Sequence, residues 1–318
     1  MTGTPYKPDI LIYHDNCDDG FAAAWIGHMK WGDTVTYMPS NYGRPLPDFD
    51  PAGKDILVAD FSLTLDQCHE LVISGARILM LDHHKTARDN LADLQSTFRP
   101  TIFSVNEEFD ALREAAPAPE FWRNRVMVEF DMGRSGARMM WDFIAPFATA
   151  PELVLAVEDR DLWRFEREDT KLVSLYLRSL DRDFTQWTKA SGLYTSHREQ
   201  FLREAKAIKR FYDRRIAAIC KSAAPQEFCG YQGVPVTYAC PYDFASDTCH
   251  TLLEMYPKAP FAAVGIQNAE GVTYSLRSTD DRVDVSEVAK ANGGGGHRNA
   301  AGFRKGREIV VTHHFERV

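Results

Sequence analysis

Residues 76–84 read Ala76-Arg77-Ile78-Leu79-Met80-Leu81-Asp82-His83-His84: an apolar run that ends abruptly on a carboxylate and two imidazoles. A short, unbroken apolar run of this kind is what a strand buried on both faces requires. Upstream the pattern repeats twice. Asp55-Ile56-Leu57-Val58-Ala59 runs into Asp60, and Asp9-Ile10-Leu11-Ile12-Tyr13 runs into His14-Asp15. Helical patterns over 20–30 and 65–74 lie between these runs. Strand, helix, strand in this order predicts an α/β class, with an N-terminal parallel sheet carrying helices on both faces. Ligands of such sheets bind at the carboxyl ends of the strands, so three strands deliver acids and imidazoles to one rim.

Downstream, residues 106–125 are charged and rich in Ala and Pro, and are expected to form an irregular loop or surface insertion. Helices are expected near 135–144 and 151–157. From 197 to 220 apolar residues recur at Phe201, Ala205, Ile208, Tyr212, Ile216 and Ile219, a helical period, with Arg and Lys flanking as on an exposed connector. After Ala224 the texture changes: 234–238, 261–266 and 272–276 read as strands, and 283–291 as a short helix before four glycines. The expected division is an N-terminal sheet domain over 1–192, a connector helix over 193–222, and a smaller α/β domain over 223–318.

Composition narrows the function. The chain has 318 residues, 44% hydrophobic and 26% charged, enough for two domains. No apolar run approaches the roughly 18 residues of a membrane span, and no basic segment leads into an apolar stretch at the start. A membrane is therefore not an expected partner. The six cysteines form no C-x-x-C pair and read as reduced thiols of a cytoplasmic protein. A net charge of −8 argues against sequence-blind binding of long nucleic acid and for a small substrate in a local pocket.

Five clusters carry candidate chemistry. His14-Asp15-Asn16-Cys17-Asp18-Asp19-Gly20 offers imidazole and carboxylate donors suited to a divalent ion such as Mn²⁺, and fits equally an acidic turn that caps a helix. Asp60 alone would be a cap or turn residue; it gains meaning from its neighbours. In Asp82-His83-His84, one imidazole can hold a metal while the aspartate orients it, and the other can supply a proton. Val157-Glu158-Asp159-Arg160-Asp161-Leu162-Trp163 is either an acidic ligand cluster or an ionic helix terminus. Finally, Asn292-Gly293-Gly294-Gly295-Gly296-His297-Arg298-Asn299-Ala300-Ala301-Gly302 could present backbone amides to an anion, and a following helix N-terminus would add its dipole; His297 and Arg298 would add charge-assisted contacts.

This ordered set resembles the DHH phosphoesterase superfamily with its associated C-terminal substrate-binding domain, nearest the NrnB-type oligoribonucleases and short RecJ-like phosphoesterases. The resemblance implies a two-metal hydrolase using two Mn²⁺ ions, with Mg²⁺ or Co²⁺ as substitutes, acting on short RNA or a linear dinucleotide and releasing mononucleotides. It maps metal ligands onto His14, Asp19, Asp60, His83 and Asp159, with Asp60 shared, and gives the catalytic roles to Asp60, His83 and His84. Substrate contacts map onto Arg277, Ser278, Gly294, Gly295, Gly296, His297 and Arg298. One departure is Cys17, which stands where the pattern has a carboxylate; Asp15 or Asp18 would have to replace it. Within the family the alternatives are a cyclic-nucleotide phosphodiesterase, a single-strand exonuclease, an adenosine bisphosphate phosphatase and an exopolyphosphatase. An alternative of a different class is a nucleotide-binding or scaffold protein that keeps the fold without catalysis. A homodimer is compatible with this reading. Trp25, Tyr42, Trp163, Tyr242 and Phe244 are the aromatic candidates for base stacking.

Overall fold

Unbroken apolar runs do become doubly buried strands. The computed structural model describes residues 4–15, 17–96, 99–115, 121–268 and 271–306, and contains two units, Met1–Lys209 and Arg210–Val318. The sheet of the first unit holds β1 (Ile10–His14), β2 (Thr36–Ser40), β3 (Asp55–Ala59), β4 (Arg77–Asp82) and β5 (Val126–Phe130) in the order β2-β1-β3-β4-β5. Every pairing is parallel. Side chains alternate between faces along a strand, and two cores result. Leu11, Tyr13, Leu57, Ala59, Leu79 and Leu81 fill one, while Ile10, Ile12, Ile56, Val58, Ile78 and Met80 fill the other.

The helices α1 (Asp18–Trp31), α2 (Leu65–Ile73) and α3 (Lys85–Asn90) leave the rim after β1, β3 and β4. Then come α4 (Val105–Ala115), α5 (Gly136–Ile144), α6 (Glu152–Asp161), α7 (Thr170–Arg178) and α8 (Phe184–Ser196). Helix α1 buries Phe21, Trp25 and Ile26 against the first core, and α2 buries Cys68, Leu71 and Val72 in the second. Thr64 and Gln67 start α2 with a reciprocal capping box.

Helix α9 (Arg198–Cys220) leads into the second unit. There, β6 (Ala224–Phe228), β7 (Tyr231–Thr237), β8 (Ala262–Asn268), β9 (Gly271–Arg277), β10 (Gly295–His297) and β11 (Ala300–Gly306) order as β10-β11-β9-β8-β7-β6. Only the β7–β8 pairing is parallel. Helices α10 (Ala245–Met255) and α11 (Val285–Ala291) complete this unit, and Val285, Val288 and Ala289 of α11 share its core with Phe261, Leu276 and Phe303.

Several local expectations change. Residues 105–115 form α4 rather than an irregular loop, with Val105 and Phe109 in the core; 116–120 lie outside the described residues. Strand β2 is a half-exposed edge carrying Pro39, which an edge tolerates because the missing N–H costs no ladder bond there. The glycine run does not open a helix: it enters the β10–β11 hairpin.

Leu57 is fully buried on the central strand, whereas Ile73 is 63% exposed. Leu57→Ala is expected to lower the unfolding free energy by about 2–5 kcal/mol, and Ile73→Ala by no more than about 0.5 kcal/mol. Urea unfolding followed by circular dichroism measures both.

Candidate metal centre

The strand order reverses between β1 and β3, because the chain leaves β1 toward β2 on one side and returns to β3 on the other. Such a switch point opens a crevice at the carboxyl ends of the strands. His14 ends β1, Asp60 follows β3, and Asp82 ends β4 with His83 and His84 directly after it, so these residues flank that crevice. Packing around it is close. A Cβ on Gly20 would stand 2.3 Å from the His14 carbonyl oxygen, so only glycine lets α1 start this near the end of β1. Asp60 has φ of +55°, a conformation a non-glycine residue holds only when its surroundings enforce it.

Asp19 reaches the crevice from the first turn of α1 and is 1% exposed. Its carboxylate accepts from the backbone N–H groups of Gly136 at 2.5 Å and Ala137 at 3.1 Å, the first turn of α5. Those donors need an acceptor, and the carboxylate is also favoured by the helix dipole. A Cβ on Gly136 would lie 2.4 Å from the Asp60 Cβ, so α5 fixes Asp19 and Asp60 together.

Within the first unit, two groups of side chains bring donor atoms within 4.8 Å of one another: His14, Asp60 and His84, and Asp19, His83 and Asp161. Asp60 joins them. Its Oδ1 lies 3.0 Å from His83 Nε2, and its Oδ2 lies 3.5 Å from His14 Nδ1. His83 Nε2 is also 3.7 Å from Asp19 Oδ2 and 3.4 Å from Asp161 Oδ2. Among the described residues, Asp60 Oδ2 and His14 Nδ1 are buried without a hydrogen-bond partner. Buried polar atoms are rarely left so unless a ligand completes them.

Asp82 belongs to the support of this cluster. Its Oδ1 accepts from the His83 and His84 backbone N–H groups and from His84 Nδ1 at 2.7 Å. Its Oδ2 accepts from the Ser62 hydroxyl at 2.6 Å and the Tyr42 hydroxyl at 3.2 Å. With Nδ1 committed to the carboxylate, Nε2 is the His84 nitrogen left to face Asp60 and His14. Burial opposes the charge on Asp82, but His84 outweighs it and holds the carboxyl down at about 2.

Electrostatics favour a cation. Burial and the charges of Asp60 and Asp161 push the Asp19 carboxyl well above its usual range, and burial also raises Asp161. Burial opposes the charge on His83 too, but Asp60, Asp161 and Asp19 overcome it and raise the imidazole to about 10. The protons thus occupy a place that cations would take, and the mixed imidazole–carboxylate donor set suits a divalent ion.

Not every expected ligand reaches the crevice. His14, Asp19, Asp60 and His83 converge, with His84 beside them, but Asp159 does not. Its carboxylate accepts from the backbone N–H groups of Glu166 and Arg167 and from the Thr170 hydroxyl, folding the turn between α6 and α7. Asp161 reaches His83 instead. Two residues along a helix point to nearly opposite sides, so only one of the pair could face the crevice. Asp18 turns away to Arg178 at 2.7 Å and Arg182 at 3.6 Å. Asp15 accepts from the Asn41 side chain at 3.4 Å and stands in neither group. Cys17 caps α1, and burial together with Asp60, Asp161 and Asp19 pushes its thiol well above the usual value. Asn16 lies outside the described residues.

In the second unit, Arg277 donates to the Ser246 and Ser275 hydroxyls and the Leu276 carbonyl, and no carboxylate among the described residues pairs with it. Ser278 is buried and its backbone N–H bonds Asn299. Arg298 holds the 280–284 turn through the Asp280 and Arg282 carbonyls and the Asp284 carboxylate. The amides of Gly293 and Gly294 close the end of α11 on Lys290 and Ala289. A Cβ on Gly294 would lie 2.1 Å from the Gly302 carbonyl oxygen, so that glycine serves the hairpin's packing. Gly295 and His297 pair with Gly302 and Ala300 in the same hairpin, and Gly296 between them has φ of +138°.

Two outcomes follow for the metal-free protein. Gly136→Ala is expected to displace Asp60 and lower affinity for Mn²⁺ at least tenfold in calorimetric titration. The His83 imidazole is expected to titrate near 10 by NMR. Because this lies above the ordinary value of about 6.5, the charged His83 stabilises the fold fully below that pH, and the contribution fades as pH rises through 10.

No family model matches the sequence. An uncharacterized protein of Acanthamoeba polyphaga mimivirus is 26% identical over 93% of this chain and 67% of its own length. Oligoribonuclease NrnB of Bacillus subtilis is 25% identical over 74% of this chain and 55% of its own, so the chain spans between about half and two thirds of these curated relatives. Among solved structures, the DHH domain of a member of a ribosomal protein family superposes with a TM-score of 0.52 at 13% identity, over 94% of this chain and 82% of that one. The chain thus has a fold like that of a DHH domain and a sequence similar to that of an oligoribonuclease.

Proposed function

We propose that the protein is a metal-dependent phosphodiesterase that hydrolyses short oligoribonucleotides or linear dinucleotides to mononucleotides. The observation that carries this reading is the place of Asp60. Its buried carboxylate stands between two donor groups, with one oxygen toward His83 and the other unpartnered beside His14. A carboxylate so placed would serve both donor groups if each held a cation. His14 and Asp60 would hold one ion; Asp19, His83, Asp161 and the other Asp60 oxygen would hold the second. Mn²⁺ matches this mixed donor set, with Mg²⁺ or Co²⁺ as substitutes. When bound, a metal pair acidifies a water and neutralises charge on the entering and leaving oxygens of an in-line displacement.

The chain's own residues do the rest. The first turn of α5 holds Asp19 in one orientation, so its carboxylate does not have to be ordered when cations arrive. Asp82 keeps a proton on His84 Nδ1 and presents Nε2 to the crevice, where it can bond a phosphate oxygen or protonate the leaving group. Asp159, though not among the converging donors, ties the turn that follows Asp161 and acts as a positioning residue. Arg277, a guanidinium without a carboxylate partner among the described residues, is the second unit's candidate for neutralising substrate phosphate. The similarity to an oligoribonuclease supports the substrate class. Among the described residues no helix is long and apolar enough to cross a membrane.

Mixing the metal-free protein with Mn²⁺ near pH 7 in weak buffer should release protons, with His83 and the raised Asp19 carboxyl as their sources; no release would remove the metal assignment. Asp161→Asn should cost at least a hundredfold in kcat and weaken Mn²⁺ binding, whereas Asp159→Asn should chiefly lower Tm. Equal loss of metal in both variants would reject the distinction. Arg277→Ala should raise KM with a smaller effect on kcat. The decisive assay is a panel of dinucleotides, longer RNA and DNA, cyclic nucleotides and polyphosphate with Mn²⁺; clearance of polyphosphate ahead of dinucleotides would overturn the proposal.

A further inference from the structure

At the rim of the crevice, one aromatic ring is fixed in place yet left open. Tyr42 follows β2. Its hydroxyl accepts from the Ser62 backbone N–H at 3.1 Å and donates to Asp82 at 3.2 Å. Its ring lies tilted against the buried Phe61 with centroids 4.6 Å apart, and meets His14 at 5.6 Å and His84 at 5.4 Å edge to face. Despite these anchors Tyr42 is 45% exposed. Open aromatic surface usually belongs to a mobile side chain; here the ring's orientation is set before anything binds.

Neighbouring Phe61 and the other stacking candidates of this unit, Trp25 and Trp163, lack that combination. Phe61 is 3% exposed and Trp25 1% exposed. Trp163 already carries the Arg160 guanidinium 4.2 Å from its ring centre.

We propose that Tyr42 is a stacking platform for a nucleobase, making the site selective for base-bearing phosphate esters over sugar phosphates and inorganic phosphate chains. The inference rests on the reading that the metal cluster beside it holds a phosphate. His14 and His84, the two imidazoles that Tyr42 meets edge to face, belong to that cluster, so a phosphate there would have its sugar and base within reach of the ring. Every base has a π-face, and stacking on a fixed aromatic ring adds affinity without demanding a particular sequence. Because the ring is already immobilised, little side-chain entropy is lost on binding.

The test is binding rather than turnover: calorimetric titration of AMP and of ribose 5-phosphate into the Mn²⁺-loaded full chain, for wild type, Tyr42→Phe and Tyr42→Leu. The wild type should bind AMP about tenfold more tightly than ribose 5-phosphate. Tyr42→Phe, which keeps the ring, should retain that ratio within about twofold. Tyr42→Leu should bring it near one while binding ribose 5-phosphate as tightly as Tyr42→Phe, which lacks the same hydroxyl bond to Asp82. In proton NMR, the adenine ring protons should move upfield on binding to wild type and Tyr42→Phe but not to Tyr42→Leu. A ratio preserved in Tyr42→Leu, or an equal loss for both ligands, overturns the platform while leaving the phosphoesterase reading standing. If wild type binds neither ligand with Mn²⁺ present, both fall together. A Tyr42→Leu protein that does not fold leaves the wild-type ratio and the upfield shift to decide, and the absence of either rejects the proposal.

Discussion

The site depends on one electrostatic constraint. Asp19, Asp60 and Asp161 crowd around His83 at the end of a parallel sheet, with Asp19 and Asp60 almost without solvent. Burying like charges is unfavourable unless positive charge is supplied. In the metal-free molecule that charge is a proton held tightly on His83. The fold makes such crowding possible by surrounding the carboxylates with donors of its own, chiefly the first turn of α5.

That arrangement links stability to chemistry. Backbone close approach, not side-chain flexibility, sets the positions: Gly20 lets α1 start against the end of β1, and Gly136 lets α5 press on Asp60. The positive φ of Asp60 is strain retained at the point where the two donor groups meet. Around this core, Asp82 links His84, Ser62 and Tyr42, so the histidine beside the centre and the open ring at its edge are oriented by the same carboxylate.

Much of the first unit was legible because its strands are buried on both faces. Such strands must be apolar throughout, so β1, β3 and β4 stand out in the sequence, and the polar residues that stop them mark the rim. Strand β2 escaped because an edge strand has one open side and tolerates Pro39 and polar residues. Strand β5 is interrupted by Glu129, whose charge is met by Arg134. Helix α4 was hidden by a charged exposed face, although Val105 and Phe109 keep the spacing of its buried side. In the second unit, the glycines read as an anion loop are explained in part by a hairpin too tight for a Cβ at Gly294.

The sequence by itself determined the parallel α/β architecture and the rim where acids and imidazoles gather, because apolar periodicity and the chemistry that interrupts it are local properties of the chain. Only the tertiary structure decided that Asp161 and not Asp159 faces His83, that Asp18 is spent on Arg178, and that Tyr42 stands open at the crevice. Neighbouring acids are equivalent as letters. They become different only when helix phase and packing turn one inward and give the other a hydrogen-bonding partner elsewhere.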